Sequence, residues 1–165
     1  MSLPLRPKQG GFLRPFGCGW FIREYLSGHS PYGSPVIDPS VGAPQADIFR
    51  RYKMALINET AMDRAVRRVE RTAQKAGRVI SPDEIDELSK KYAARIPYKT
   101  TSCRYHSFVV YFSMLIRHGW VEPSGVTEPS AFQDNHPDGQ PRKFYRLTAA
   151  GMSAGSSAWA NPQRA

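Results

Sequence analysis

Basic and aromatic side chains follow one another in a short stretch near the C-terminal end of the chain, RKFYRLTAAG at residues 142–151. Arg142, Lys143 and Arg146 could bind an anion, because guanidinium and ammonium groups donate charge-assisted hydrogen bonds to phosphate and carboxylate oxygens. Residues 142–148 alternate in the manner of a strand. The stretch is therefore predicted to be a strand that carries anion-binding side chains.

The alternation leaves two orientations of this strand open. If Tyr145 and Leu147 pack inward, then Arg142 and Arg146 lie on the opposite face and point towards the anion. The reverse orientation makes Lys143 the main contact. The sequence does not decide between these two arrangements.

The composition of the whole chain also favours an anionic partner. The chain has 165 residues, which is enough for one ordinary core, and its Lys and Arg residues number 23 against 14 Asp and Glu. The resulting net charge of +9 makes nucleic acid a better candidate than a small neutral ligand.

The number and spacing of the cysteines and the hydropathy of the chain indicate in which cellular compartment the protein is expected. Cys18 and Cys103 lie far apart, without a second cysteine or a histidine at ligand spacing, so neither a disulfide framework nor a zinc site is expected. No apolar run approaches the ~20 residues of a membrane span, and the first residues lack the apolar region of a signal peptide. A cytoplasmic protein without a membrane partner is the expectation.

The sequence gives no indication of catalysis. Its four histidines are scattered, and it contains neither GxxxxGK[ST] nor GxGxxG, the glycine patterns that cradle phosphates. Cys18 has no neighbour in sequence that would lower the pKa of its thiol. We therefore expect a protein that is not an enzyme and that has no cofactor and no metal.

The elements that must position the basic residues begin after a long irregular region. Residues 1–44 are rich in Pro and Gly around an aromatic run and are predicted to be an N-terminal arm and linker. The aromatic run, at residues 12–26, could form a short helix or an apolar patch that docks on the main body, although its two glycines weaken the helix signal. Residues 45–76 contain no Pro or Gly and predict a long helix. Its apolar seam packs either inside the chain or against a second subunit. The seam residues are Ile48, Tyr52, Ala55, Glu59, Met62, Val66, Val69, Ala73 and Ala76.

A row of cations follows the same helix, two residues beyond the seam and so on its opposite face. This row is either a solvated surface or a track for phosphates. Its members are Arg64, Arg68, Arg71, Lys75 and Arg78.

Two further helices and a pair of strands complete the prediction. SPDE, at residues 81–84, has the pattern of a capping box and starts a helix over 82–96. A third helix over 102–118, capped by Thr101 or Ser102, ends at a glycine. Two strands joined by a long loop fill 120–148. Residues 152–165 are Ala- and Ser-rich and are predicted to be a flexible tail.

This order, together with the phrases IRHGWVEP and PRKFYRLTAAG, resembles the winged helix-turn-helix domain of PadR and MarR transcriptional regulators. The resemblance implies an α+β, mainly α fold over residues 45–151, with a long N-terminal helix and a two-stranded wing. It implies sequence-directed binding of double-stranded DNA as a homodimer. The third helix would enter the major groove and the wing would lie on the backbone.

When the roles of the family's residues are transferred by position, the resemblance implies that the start of the third helix contacts the DNA bases. Arg104 is suited to a guanine edge through paired donors, and Ser102 and Ser107 to phosphates or bases. Tyr105 is either a contact or a packing residue. The full set of candidate DNA-binding residues is Lys99, Thr100, Ser102, Arg104, Tyr105, His106, Ser107, Arg142, Lys143 and Arg146.

A second function stays open at this stage, because winged helices also serve as protein-binding modules. Val109 and Val110 give the third helix apolar residues on a side that a DNA-reading helix keeps polar, and the aromatic run at residues 12–26 could cover part of this helix. The loop at 124–140 also carries acidic residues that weaken phosphate contact. These features favour an adaptor or assembly subunit that binds a partner protein within a nucleoprotein complex.

Overall fold

The computed structural model describes residues 16–101, 103–128 and 141–164. These residues form a mainly helical protein with a small three-stranded antiparallel sheet, which confirms the predicted α+β, mainly α class. Residues 1–15 of the predicted arm, and most of the acidic loop between the last two strands, lie outside the described residues.

The described chain divides into two units. The first, called here the two-helix unit, contains residues 53–101 and Phe16. The second, called the sheet unit, contains all the other described residues. The elements in chain order are α1 (Cys18–Leu26), β1 (Ala43–Pro44), α2 (Gln45–Ala76), α3 (Pro82–Arg95), α4 (Tyr105–Arg117), β2 (Val121–Glu128), β3 (Arg142–Leu147), α5 (Ala149–Ser153) and α6 (Ser156–Ala160).

The two-helix unit is built on small side chains of α2. Ala61, Ala65, Val69 and Ala73 recur every four residues and are buried, whereas Met62, which the predicted seam included, is 45% exposed. The observed stripe therefore departs from the predicted seam in this half of α2. Small residues allow close packing, and a cluster forms where Ile57, Ala61 and Ile96 meet Tyr92 and Ala93 of α3.

The turn between α2 and α3 is closed by a glycine and an ion pair. Gly77 has a φ of +65°, and the N–H of Arg78 donates to the carbonyl of Ala73 at 3.1 Å. The Arg78 guanidinium donates two hydrogen bonds to the carboxylate of Glu84, one of them at 2.8 Å. Only half of the predicted capping box is present: Glu84 accepts from the backbone N–H of Ser81, but the Ser81 side chain makes no capping bond.

Glu84 gives this turn a testable pH dependence. Hydrogen bonds from Arg78 lower the pKa of the Glu84 carboxyl below its ordinary value. The pair therefore stabilises the fold above the unfolded-state pKa, and the stabilisation is lost as the pH falls through the lowered folded-state value. We expect Glu84→Gln to lower the urea midpoint at neutral pH, and we expect this deficit to shrink steadily as the pH is lowered below the ordinary range of a glutamate carboxyl. A deficit that persists in acid would contradict this explanation; Glu87→Gln, on the same helix, is the control.

The sheet unit contains a strand that the sequence did not indicate. The strand order is β1-β3-β2, all antiparallel, so the predicted two-stranded wing has a third, two-residue strand on its other edge. Ala43 pairs with Tyr145 and Pro44 with Phe144. Gly42 allows this approach: its φ is +76°, and a Cβ there would lie 1.7 Å from the carbonyl oxygen of Tyr145.

Part of the predicted arm belongs to the core of the sheet unit. In α1 the side chains of Phe21, Ile22 and Leu26 are fully buried. The ring of Phe21 lies 5.5 Å from that of Tyr52 in α2 and 5.6 Å from that of Tyr25, and burial raises the pKa of the Tyr25 hydroxyl. The part of the aromatic run at Cys18–Leu26 is thus a packed helix, which is one of the two structures that the sequence allowed.

The C-terminal segment is also ordered by packing, in place of the predicted flexible tail. Trp159 in α6 is only 1% exposed, and its ring lies 4.8 Å from the ring of Trp120. The indole N–H of Trp159 donates to the carbonyl of Gly151 at 2.9 Å. A single large aromatic side chain therefore anchors an Ala- and Ser-rich segment to the sheet unit.

Candidate nucleic-acid interface

Aromatic packing fixes α4 within the sheet unit. Phe108, Phe112 and Leu115 are spaced four and three residues apart and are fully buried. The Phe108 ring lies 5.2 Å from that of Phe49 in α2, and the Phe112 ring lies 5.1 Å from that of Tyr145 in β3. Contacts with both α2 and β3 therefore fix which side of α4 is exposed.

The helix begins later than the sequence indicated. It was predicted to start at residue 102, capped by Thr101 or Ser102, but α4 starts at Tyr105. Cys103 has a φ of +77°, which is incompatible with a helix, and the Thr101 hydroxyl is used in another turn, donating to the Tyr98 carbonyl at 2.8 Å. Ser102 lies outside the described residues.

The first turn of α4 presents polar groups to solvent. Arg104 stands at the N-cap position with an extended backbone, and it is exposed together with His106 and Ser107. Tyr105 is 48% exposed, and its ring also packs 5.2 Å from that of Phe49, so it serves as a packing residue as well. The first turn contains no acidic residue, which leaves the positive end of the helix dipole available to an anion.

The two arginines of β3 are engaged within the fold. Arg142 is paired with Asp47 of α2 at 3.1 Å and with Glu128 of β2, while Arg146 is paired with Glu122 at 3.2 Å. Both β2 partners stand directly opposite their arginines in the strand register. Leu147 is buried and the Tyr145 ring packs on that of Phe112, so these two side chains point inward. Arg142 and Arg146, in contrast, have carboxylate partners within the chain itself.

Lys143 is the remaining candidate on β3. It is exposed, stands opposite Thr127 in the register, and has no ion-pair partner in the described part of the chain. The last two candidates, Lys99 and Thr100, belong to the two-helix unit. There Lys99 is exposed, while the hydroxyl of Thr100 donates to the Pro97 carbonyl at 2.7 Å.

Thr148 joins the end of α4 to the base of the β2–β3 pair. Its N–H donates to the carbonyl of Trp120 at 3.0 Å, and its hydroxyl donates to the carbonyl of Gly119. The same hydroxyl accepts the N–H of Gly151 at 3.0 Å and so caps α5. From its place in the sequence Thr148 was predicted only as a strand residue, because no neighbouring residue indicated three hydrogen-bond partners.

Apolar side chains are also exposed on the sheet unit. Val110 and Ile116 of α4 are 56% and 36% exposed, and Val126 of β2 is 38% exposed. Another side of α4 is covered by α1: a Cβ placed on Gly19 would lie 2.6 Å from the hydroxyl of Tyr111. The expectation that the N-terminal aromatic run covers part of this helix is thus met at Tyr111 but not at Val110.

Residues 16–101, 103–128 and 141–164 contain no group of three or more His, Cys, Asp or Glu side chains placed to hold a metal ion. None of the helices in these same ranges has the length and hydropathy needed to cross a bilayer. Comparison of the chain with protein-family models, with curated proteins and with solved structures finds no significant match. The function is therefore inferred from the geometry of the chain itself.

Proposed function

We propose that the protein binds double-stranded DNA in a sequence-directed manner and acts as a transcriptional regulator of the winged helix-turn-helix kind. In this proposal α4 is the recognition helix and the β2–β3 pair is the wing. The observation that carries the proposal is the exposed first turn of α4, with Arg104, His106 and Ser107 on a helix whose other face is locked into an aromatic core.

The chemistry of this turn suits a DNA groove. An α-helix fits the major groove by size, and an arginine can donate two hydrogen bonds to the O6 and N7 atoms of guanine. The positive end of the α4 dipole and Lys143 suit the phosphate backbone. Arg142 and Arg146 have a structural part in this proposal, because each is already paired with carboxylates of the chain.

The first test concerns Arg104. We expect the full chain to bind fragments of its source genome at low salt, and Arg104→Ala to weaken binding to the preferred fragment about tenfold or more, because a bidentate contact to guanine is lost. Fluorescence anisotropy with labelled duplexes measures this loss. Arg117→Ala, at the opposite end of the same helix, is the matched control, and an equal loss in both variants would contradict a reading role for Arg104.

Lys143 is expected to behave differently, because a phosphate contact carries no sequence information. Lys143→Ala should weaken binding to all duplexes alike and reduce the slope of log affinity against log salt by about 0.9. If Lys143→Ala instead changes the preference among duplexes, or leaves the slope as it was, the backbone contact is not made by this residue.

A second function is favoured by one specific observation, the exposure of Val110 and Ile116 on α4. These side chains suit a partner protein, and the chain would then be an adaptor within a nucleoprotein complex. A salt series separates the two functions, because DNA binding through several phosphates falls steeply with salt whereas an apolar interface does not. Failure to bind any duplex at about 50 mM salt would favour the adaptor.

The homodimer implied by the resemblance is also part of the proposal. The alanines of the α2 stripe are already buried in the single chain, so the contact we propose uses Met54 and Met62, which are 41% and 45% exposed on the same helix. We expect twice the chain mass in light scattering. A single-chain mass at tens of micromolar would remove the dimer without affecting the proposed DNA contacts.

A further inference from the structure

A groove lined by arginines runs along α2 in the two-helix unit. Its volume is about 610 Å³, within the range of ligand clefts. The residues that line it come from the second half of α2 and from one position of α3: Arg64, Arg67, Arg68, Glu70, Arg71, Gln74 and Tyr92. Four guanidinium groups thus share one concave surface with one aromatic ring.

The arginines of this groove are only partly neutralised. Arg67 is paired with Asp63 at 3.2 Å, and the Nε of Arg71 donates to the carbonyl of Arg67 at 3.3 Å. Arg64 and Arg68 have no carboxylate partner among the described residues, and Glu70 is the only acidic side chain among those that line the groove. The groove therefore holds an excess of positive charge, unlike the paired arginines of β3.

The spacing of these cations matches a repeating anion. Arg64, Arg68 and Arg71 lie four and three residues apart, which places them on one face of the helix with rises of about 6 Å and 4.5 Å between them. A single small anion uses one such group, whereas a chain of phosphates can contact each of them in turn. Part of the row of cations, which was predicted to be either a solvated surface or a track for phosphates, therefore lines a groove.

Tyr92 adds a feature that a simple charged surface lacks. Its ring is half-buried and packs against the cluster of Ile57, Ala61 and Ile96 on one side, while it also forms part of the groove wall. An aromatic ring fixed in this way is a platform on which an unpaired base can stack. In a duplex the bases are already stacked on one another and cannot reach it.

We propose that this groove binds single-stranded nucleic acid, with Arg64, Arg68 and Arg71 on successive phosphates and Tyr92 stacked on a base. None of the residues that line the groove belongs to α4 or to the β2–β3 pair, and the proposal does not rest on the proposed reading of duplex DNA. A protein with both sites contacts paired and unpaired segments through different units of its chain.

The test measures anisotropy of a labelled oligo(dT) of roughly 20 nucleotides with the full chain, from about 50 to about 200 mM salt. We expect Arg64→Gln combined with Arg68→Gln to weaken binding at least tenfold at the lowest salt and to reduce the salt slope by about 1.4, because two phosphate contacts are lost. Lys90→Gln combined with Lys91→Gln removes the same charge from α3 outside the groove and is the matched control. Equal losses in the two double variants would overturn the proposal, since they would report net charge alone.

The stacking contact is tested at Tyr92. We expect Tyr92→Leu to weaken oligo(dT) binding about tenfold and Tyr92→Phe, which keeps the ring, to bind like the unmodified chain. Circular dichroism melting separates a binding loss from unfolding. If Tyr92→Leu folds and binds normally, or if duplex of the same length binds the groove arginines more tightly than oligo(dT), the single-strand assignment is wrong.

The same measurements distinguish failure here from failure of the proposed function. Arg104→Ala is expected to lower duplex binding and leave oligo(dT) binding unchanged, while the Arg64 and Arg68 double variant does the reverse. If Arg104→Ala abolishes binding of both probes equally, single strands bind at α4, and the groove is not the site.

Discussion

Replacing Gly42 with alanine is expected to destabilise the protein by about 3–5 kcal/mol. Two costs combine. The residue has a φ of +76°, which an L side chain tolerates poorly, and the new Cβ would lie 1.7 Å from the carbonyl oxygen of Tyr145. Backbone must move to remove this overlap, so the β1–β3 pairing should be lost. Urea unfolding followed by circular dichroism measures the change.

Gly119→Ala separates the two costs. Its φ is +75°, close to that of Gly42, but no atom lies within 4 Å of the Cβ position. Only the conformational cost then applies, about 1–2 kcal/mol. If both variants lose the same stability, the close approach of β1 to Tyr145 contributes nothing, and the third strand is not held as described.

Truncating Trp159 is the second change with a large expected effect. Trp159→Ala should destabilise the protein by about 3–5 kcal/mol, because a fully buried indole leaves a cavity against Trp120 and the carbonyl of Gly151 loses its donor. Trp159→Phe keeps most of the packing and loses the hydrogen bond, so it should cost less. The change in unfolding free energy is measured by chemical denaturation.

An exposed residue close by in sequence provides the control for Trp159. Met152 is 56% exposed, and Met152→Ala should change stability by no more than about 0.5 kcal/mol. A Trp159→Ala variant as stable as Met152→Ala would show that the C-terminal segment is not anchored. A flexible tail, as the sequence alone indicated, would then be the better description.

Elements with a strong local signal could be predicted from the sequence. The long helix was recognisable because no Gly or Pro interrupts residues 45–76, and the end of α4 because Gly119 takes the left-handed conformation that ends helices. The third strand could not be predicted in this way. The strand β1 has only two residues, one of them Pro44, which is too few to show a periodicity. Its partner β3 lies about a hundred residues further along the chain, so no local pattern indicates the pairing.

The same limit applies to the tail and to the N-terminal aromatic run. The composition of the tail resembles that of a frayed segment, and a single tryptophan does not alter a compositional average. Its burial follows from the position of Trp120, which the sequence does not provide. In the aromatic run two glycines weakened the helix signal, but Gly17 is the N-cap of α1, and a Cβ on Gly19 would lie 2.4 Å from the carbonyl oxygen of Trp159.

The sequence indicated which residues at the start of α4 are exposed, but it did not indicate the partners of the basic residues of β3. Exposure of Arg104, His106 and Ser107 follows from the spacing of the buried side chains in α4. The engagement of Arg142 and Arg146 required the strand register, which sets each of them opposite a glutamate. The groove on α2 also needed Tyr92 from another helix, so charge spacing alone left it as one of two alternatives.

The hydrogen bonds of Thr148 have a consequence for how DNA targets are told apart under the proposed function. Because Thr148 bonds to the carbonyls of both Gly119 and Trp120, between α4 and β2, it restrains the angle between the helix and the strands. Under the proposed function, the contact of α4 with the major groove and that of the β2–β3 pair with the backbone would then be held at one separation along the DNA. Two sites with the same bases but one extra base pair between the contacted segments would be unequal ligands.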